Sequence, residues 1–378
     1  METKQKEKFS LKDHLFNEPK IKALAKEISA VYPSFKGSAF VKEVVLAFPQ
    51  LELKQRITHI ADCLQKYLPA QYKDAIAIIL KAMPAPLDPN LSDDDFGDFI
   101  YAPYGEFVAK YGKDKKDFAT SMQALYEITK RFSVEYAIRE FINVYPQEVH
   151  EYLLKWCKDK NYHVRRLCSE GTRPTLPWAP KIIYTSEHAL PILHALHKDK
   201  TRYVTRSVAN HLNDIAKKDA NLVLSTLQEW QKQKLQKNEE FAFMVKHSLR
   251  TLIKDGNAKA LAMVGIGDAK GIALNVTSFS KKVKIDTSLV FDIAISCKQA
   301  KPLLIDYIVY FNTKAGKFSQ KVFKLKHFDA EAKTNYTFSK QHRFIGDAST
   351  RTLHPGLHKV AVQVNGSILA EFEFMLVK

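Results

Sequence analysis

The chain has 378 residues, 46% of them hydrophobic, and a formal net charge of +17. That length suits two or three domains with a core that needs no disulfides, and Cys63, Cys157, Cys168 and Cys297 show neither CxxC nor CxxH spacing, which argues against a zinc site or a disulfide framework. The basic excess favours a polyanionic partner such as DNA, RNA or an anionic membrane surface, the plain alternative being a lysine-rich solubilising surface.

The opening METKQKEKFSLKDHLF lacks the apolar centre of a signal peptide, and no apolar run approaches a membrane span. A soluble cytoplasmic protein with reduced thiols is expected, nucleoid-associated if bacterial. From about residue 10 to 265 the hydrophobic period is helical. IKALAKEISAVYP places Ile21, Leu24, Ala25, Ile28 and Val31 on one stripe, and FVKEVVLAFPQL, ITHIADCLQKYLP and YKDAIAIILKAM behave alike. Pro33, Pro49, Pro69 and Pro146 fall where they would stop or separate these helices. Residues 84–106, PAPLDPNLSDDDFGDFIYAPYGE, read as a long connection. Its acidic cluster Asp93, Asp94, Asp95 and Asp98 lacks the glycine and terminal glutamate of a calcium loop, so a solvated loop with helix caps is preferred to a metal site.

Internal repetition begins near residue 118. PQEVHEYLLKWCKDKNYHVRR is followed by LPILHALHKDKTRYVTRSVANHL, and a third copy runs NLVLSTLQEWQK to FAFMVKHSLRTLIK. Val164, Val204 and Val245 are equivalent, with spacings 204 − 164 = 40 and 245 − 204 = 41. Paired helices at that period are the signature of HEAT-type repeats, which stack into an α-solenoid; chance likeness between amphipathic helices is the alternative. In the second helix of these units, Val164, Leu167 and Cys168 form an apolar stripe, and His163, Arg166 and Glu170 share the opposite face. The next unit aligns Arg206, Asn210 and Asp214, and SVEYAIREFINVYP offers Glu135 with Arg139. Three units therefore each present one carboxylate on a polar helix face. Ordinary i,i+4 pairing explains any one of them. Their recurrence on so basic a chain points instead to a surface that stabilises a cation, because carboxylates on a phosphate-binding surface otherwise weaken binding. Trp178, held between prolines in RPTLPWAP, is either a plug in an inter-repeat loop or an exposed aromatic surface for a sugar, base or cation.

After Gly265 the pattern alternates with period two in VKIDTSLVFDIAISC, LLIDYIVYFN, FSQKVFKLKHF, HKVAVQVNG and ILAEFEFMLVK. Asn365-Gly366 marks a hairpin. About seven short strands over roughly 110 residues suggest an immunoglobulin-like β-sandwich. The expected division is 1–265 for the helical repeats and 266–378 for the sandwich.

The run HVRRLCSEGTRPTLPWAP, the repeats around it and the β-rich C-terminus resemble the AlkC branch of the AlkC/AlkD DNA alkylation-repair glycosylases. The resemblance implies a multidomain α + β protein, an α-solenoid of HEAT-like repeats followed by the immunoglobulin-like domain. It also implies a monofunctional base-excision enzyme that hydrolyses the N-glycosidic bond of 3-methyladenine and 3-methylcytosine in DNA without flipping the base. Glu135, Glu170 and Asp214 would be catalytic, stabilising the oxocarbenium-like sugar and positioning water. Trp178 would lie against the sugar or backbone, Arg166 and Arg173 would hold flanking phosphates, and His163, Arg165 and Arg206 would extend the DNA-binding strip. The implied partner is double-stranded DNA carrying alkylated bases, bound by a monomer with no cofactor and no metal. For the sandwich, a second DNA clamp, built from KKVKID at 281–286 and a loop at 338–351 carrying Lys340, His342, Arg343 and Arg351, is preferred to a stabilising or partner-binding appendage. A non-catalytic HEAT scaffold for nucleic acid or protein is the alternative reading of the whole.

Overall fold

A computed structural model describes residues 10–91, 96–346 and 351–378. The helices are α1 (Leu11–Leu15), α2 (Glu18–Val31), α3 (Gly37–Ala47), α4 (Leu53–Tyr67), α5 (Tyr72–Ala82), α6 (Ala102–Tyr111), α7 (Phe118–Thr129) and α8 (Ala137–Val144). They continue as α9 (Pro146–Trp156), α10 (Tyr162–Glu170), α11 (Ser186–Leu196), α12 (Arg202–Ala216), α13 (Ala220–Gln233), α14 (Asn238–Ser248), α15 (Arg250–Lys254) and α16 (Ala258–Met263). The strands are β1 (Ile272–Phe279), β2 (Lys282–Lys284), β3 (Ser288–Cys297), β4 (Lys301–Asn312), β5 (Phe318–Ala330), β6 (Asn335–Arg343), β7 (Gly356–Val364) and β8 (Ser367–Val377). Compactness groups the chain into two units that interleave in sequence. One is Met1–Ile215 with Lys232–Met244, and the other is Ala216–Gln231 with Val245–Lys378.

In the first unit the paired helices follow the sequence period. The turn between α9 and α10 folds because Asp159 Oδ1 accepts from Asn161 N (2.7 Å) and Asn161 then caps α10 through His163 N (2.9 Å). The next turn repeats the device, with Asp199 Oδ1 accepting from Thr201 N (2.9 Å). Arg165 joins the two turns. Its Nε donates to Asp199 Oδ2 (2.5 Å), and its Nη1 donates to the carbonyls of Asp159 and Lys160. Ile21, Leu24, Ala25 and Ile28 of α2 are buried as expected, with Val31 at the margin.

Two segments differ from expectation, the end of the connection at 84–106 and the second helix of the third copy. Residues 102–106 are not connection but the first turns of α6, which tolerates Pro103 because a helix's first turn needs no N–H there. The acidic cluster falls largely outside the described residues, since Asp93, Asp94 and Asp95 do; Asp98 accepts from Ile100 N (3.2 Å) and caps a short 3₁₀ turn. The stretch FAFMVKHSLRTLIK is not one helix, because α14 and α15 are separated at Leu249.

In the second unit, β1-β3-β6 form one sheet and β2-β8-β7-β4-β5 the other. Their inward residues share one core, including Phe291, Ile293 and Ile295 from β3, Ile305, Tyr307 and Val309 from β4, and Val360, Val362, Phe372 and Phe374 from β7 and β8. Asn365 (φ 48°) and Gly366 (φ 83°) make the β7–β8 turn, where two successive left-handed residues match the strand twist. KKVKID contributes β2, which pairs in parallel with β8. The expected loop at 338–351 is corrected: 338–343 are the second half of β6. His342 Nδ1 meets the Tyr307 hydroxyl (3.0 Å), and burial, then Lys340, Lys321 and Arg351, push its imidazole down to about 4. Arg351 lies over the Phe311 ring and donates to Ser319 Oγ (3.0 Å). Only Arg343 of the four expected clamp residues stands exposed, and 347–350 lie outside the described residues.

Candidate functional site

Every residue of α10 from Tyr162 to Glu170 is buried. The polar face read from the sequence therefore does not meet solvent; it meets charged side chains from neighbouring elements. Gly171, which follows the helix, permits this, because a Cβ there would lie 2.6 Å from Ile138 Cγ2 of α8. The close approach brings the segment before α8 against the end of α10.

Glu135 stands in that segment rather than on a helix, and Arg139 does not pair with it. Ser133 Oγ donates to Glu135 Oε2 (2.5 Å) and accepts from Arg166 Nη1 (2.6 Å), and Arg166 Nη1 also donates to Glu135 Oε2. Arg166 Nη2 reaches Glu170 Oε1 at 3.6 Å. On the far side, Arg173 Nη1 donates to the same Glu170 oxygen at 2.6 Å, and its Nε and Nη2 both lie 2.9 Å from Asp214 Oδ2. Ser207 Oγ donates to Glu170 Oε2 (2.6 Å). The order is Glu135, Arg166, Glu170, Arg173, Asp214: three carboxylates bridged by two guanidiniums.

The electrostatics follow from that alternation. Burial raises the pKa of the Glu170 carboxyl, but Arg166, Arg173 and the Ser207 hydroxyl together outweigh it, so the group is held below the usual carboxylate range. Burial likewise opposes the charge on Arg166, and Glu135 and Glu170 overcome it, raising that guanidinium. Arg166 is further packed by Tyr203, whose ring centroid lies 4.8 Å away, and by Phe96 at 6.0 Å.

A pocket of about 340 Å³ opens onto this row. Glu135, Arg166, Glu170 and Arg173 line it together with Arg206, Asn210 and Ser207 of α12, and its aromatic rim comprises Phe96, Tyr136, Trp178 and Tyr203. Asp214 is not in the lining; Arg173 links it to the pocket. His163 and Arg165 do not line it either. His163 is buried beside the rings of Tyr162 and Tyr203, and Arg165 is committed to Asp199.

Trp178 is 68% exposed and is no plug; Leu176 is buried in its place. The backbone at Trp178 is left-handed (φ 64°), a costly conformation for a bulky residue that the surroundings must enforce. Arg139 does most of this. Its Nε donates to Pro180 O (2.7 Å) and its Nη1 to Gly171 O (3.1 Å) and Arg173 O (2.8 Å). Burial, then Arg173, push its guanidinium down to about 10, which leaves it charged at neutral pH. Lys54 Nζ donates to Trp178 O (2.7 Å), and the Tyr136 hydroxyl to Pro177 O (3.2 Å).

Sequence reasoning missed Arg139 and Lys54 as anchors, Ser133 and Ser207 as carboxylate partners, and the Phe96, Tyr136 and Tyr203 rings. Proximity of Tyr136 to Glu135 and of Ser207 to Arg206 was the available signal for those two. Lys54 lies 124 residues from its partner, a separation that no local pattern reports.

Residues 132–252 match the family model described as "DNA alkylation repair enzyme", a span that contains the whole charged row. Residues 273–378 match "Uncharacterised protein YhaZ, C-terminal Ig-like domain". The YhaZ protein of Bacillus subtilis (strain 168) is 32% identical over 367 residues, covering 96% of this chain and 98% of the relative. Among solved structures, the Pseudomonas fluorescens alkylpurine DNA glycosylase AlkC, bound to DNA containing an abasic site analog, is similar with a TM-score of 0.85 and 31% identity, over 98% of this chain and 100% of that one.

Proposed function

The chain belongs to the DNA alkylation repair enzyme family, in its AlkC-like branch, and from that premise we propose that it is a DNA glycosylase that excises cationic N3-alkylated bases, 3-methyladenine and 3-methylcytosine, by hydrolysis of the N-glycosidic bond. The observation that carries this reading is the pair Glu135 and Glu170, bridged by Arg166 and both lining an open pocket rimmed by exposed Trp178. The row alternates three carboxylates with two guanidiniums, and two of the carboxylates, those of Glu135 and Glu170, face the pocket, where they can stabilise a cation.

The chemistry needs carboxylates at that position. N3-alkylation makes the base a cation and a good leaving group, so no general acid is required. As the bond to the base breaks, the electron pair departs with the base and positive charge grows on the sugar, with oxocarbenium character. Preorganised carboxylates stabilise that charge without reorganising. Glu135 or Glu170 then accepts a proton from the attacking water, whose oxygen forms the new bond to the sugar carbon. Work at the sugar rather than at the base is compatible with a lesion that stays in the duplex.

The roles of the arginines shift from those expected. Arg166 and Arg173 position the carboxylates, and both lower the pKa of Glu170. Arg206 and Asn210 line the pocket wall and would meet the DNA backbone, and Trp178 would lie against the sugar. Asp214 acts through Arg173 as a positioning residue.

Incubation with methylated DNA and quantitation of released bases tests the reading. Release of 3-methyladenine or 3-methylcytosine is expected. DNA binding with no release above background would favour the non-catalytic scaffold.

A further inference from the structure

The outward face of the five-stranded sheet holds a second polar site, entirely within the second unit. On β4, Leu303, Ile305, Tyr307 and Val309 point into the sandwich core, so Leu304, Asp306 and Ile308 point away from it. The helices that precede the sandwich close over this face: Gln363 Nε2, opposite Asp306 on β7, donates to Lys254 O at the end of α15 (3.2 Å). A cavity of about 230 Å³ remains between helices and sheet. Ile253, Val264, Ile266, Leu304 and Val322 give it apolar walls. Lys246, Arg250 and Lys254 from the helices and Lys324 and His327 from β5 surround it with basic groups.

Asp306 is the one acidic residue in this lining and is 5% exposed. Its carboxylate takes no hydrogen bond and no ion pair from any described residue, although Lys324 stands opposite it in the β4–β5 ladder. A carboxylate largely withdrawn from water and without a protein donor is costly, and the ladder shifts register at this residue, between Ile305 and Asp306. A bare phosphate would meet Asp306 as a like charge, and a purely apolar ligand would leave it unsatisfied. A ligand that satisfies every wall is flat and apolar on its faces, offers N–H donors at one edge and carries an anion at the other end. A nucleotide has that form. A carboxylate has two oxygens that accept in parallel, and guanine is the DNA base with two adjacent donors, N1–H and the N2 amino group.

We propose that this cavity is a nucleotide site in which Asp306 accepts the paired donors of a guanine edge while basic groups elsewhere in the lining hold the phosphate. The site does not depend on the glycosylase reading. The same chemistry has two sources, a free guanine nucleotide or an unpaired guanine in a DNA strand.

Calorimetric titration of the full chain with dGMP, dAMP, dCMP and TMP tests it, alongside oligonucleotides that differ in one unpaired dG or dT. The expected result is a preference for guanine over thymine of about 10-fold or more, as for a bidentate base contact, in the free nucleotides, the strands, or both. Asp306→Asn, which offers one acceptor and one donor in place of two acceptors, is expected to erase that preference; its thermal unfolding reports whether the fold persists. Leu304→Trp, which fills the cavity, is expected to remove the base-dependent binding as well. A preference in dGMP identifies the free nucleotide as the source, and one confined to the strands identifies DNA. Equal binding of guanine and thymine in both formats, or a preference that survives Asp306→Asn, overturns the proposal.

Discussion

The segment around α10 and the β-sandwich treat polar side chains in opposite ways. Around α10, Arg139, Arg165, Arg166, Ser169, Glu170 and Asp214 are all buried, and the charged groups among them are joined to partners. After residue 265, the buried polar residues among those described are only Asp306, His358, Gln363 and Asn365. A strand sends alternate residues to a common apolar core, which has no place for a charge. A helix between two others can bury its polar face as well, provided that its neighbours supply opposite charges. Preorganised charge is therefore available from the helical unit and expensive in the sandwich, and the candidate catalytic groups lie where it is available.

The contrast predicts where the largest loss of function lies. Glu170→Gln keeps the shape and the Ser207 contact but removes the central charge of the row. Base release should fall on the order of 10²–10³-fold, as for other electrostatic stabilisers, while DNA affinity, measured by fluorescence anisotropy, is retained. An unchanged rate would reduce Glu170 to a structural partner of Arg166 and Arg173. The charge also fixes a pH direction. The depressed carboxyl of Glu170 contributes stability above its unfolded value of 4.5, and that stability is lost only as pH falls through the lower folded value.

Arg139→Met comes next. It removes the donor from three carbonyls, those of Gly171, Arg173 and Pro180, and should cost about 3 kcal/mol in urea unfolding, roughly one for each unsatisfied group. It should also slow base release, because the left-handed backbone at Trp178 loses its main anchor. A loss of stability without a loss of rate would separate the loop from the chemistry. Trp178→Ala sharpens the point from the other side. The ring is 68% exposed, so unfolding should be nearly unchanged, while affinity for abasic-site DNA should fall by roughly 1–3 kcal/mol, the range for aromatic contacts to nucleic acid.

The same contrast explains what the sequence discloses. The sandwich was legible where one strand face is apolar, and Asn365-Gly366 specified its turn through two left-handed residues. Strand β6 was not, because its inward positions include Lys340 and His342 beside Phe338, and alternation of that kind looks like a loop. In the helical unit the period, the repeat spacing and the identities of Glu135, Glu170 and Trp178 as pocket residues were readable. The burial of the polar face of α10 was not. It depends on Arg173 reaching Asp214 across 41 residues and Arg166 reaching Glu135 across 31, and helical periodicity is silent about what a neighbouring repeat places against a face. His163 and Arg165 looked like surface cations for that reason.

Asp306 is the sandwich's exception and gives the smallest effect, one of pH. Burial raises its carboxyl to about 6 against the ordinary 3.8, while Lys324 and Lys254 oppose the shift. A carboxyl raised on folding binds its proton more tightly in the native state. The associated stability is present below the unfolded value near 3.8 and is lost as pH rises through about 6. After allowance for solvent screening the loss is on the order of 1 kcal/mol. The difference between the wild type and Asp306→Asn, followed by thermal unfolding from pH 4 to 7, isolates the term. The wild type should lose stability relative to the variant as pH rises, and parallel curves would mean that Asp306 is ionised throughout and that its neighbours already satisfy it.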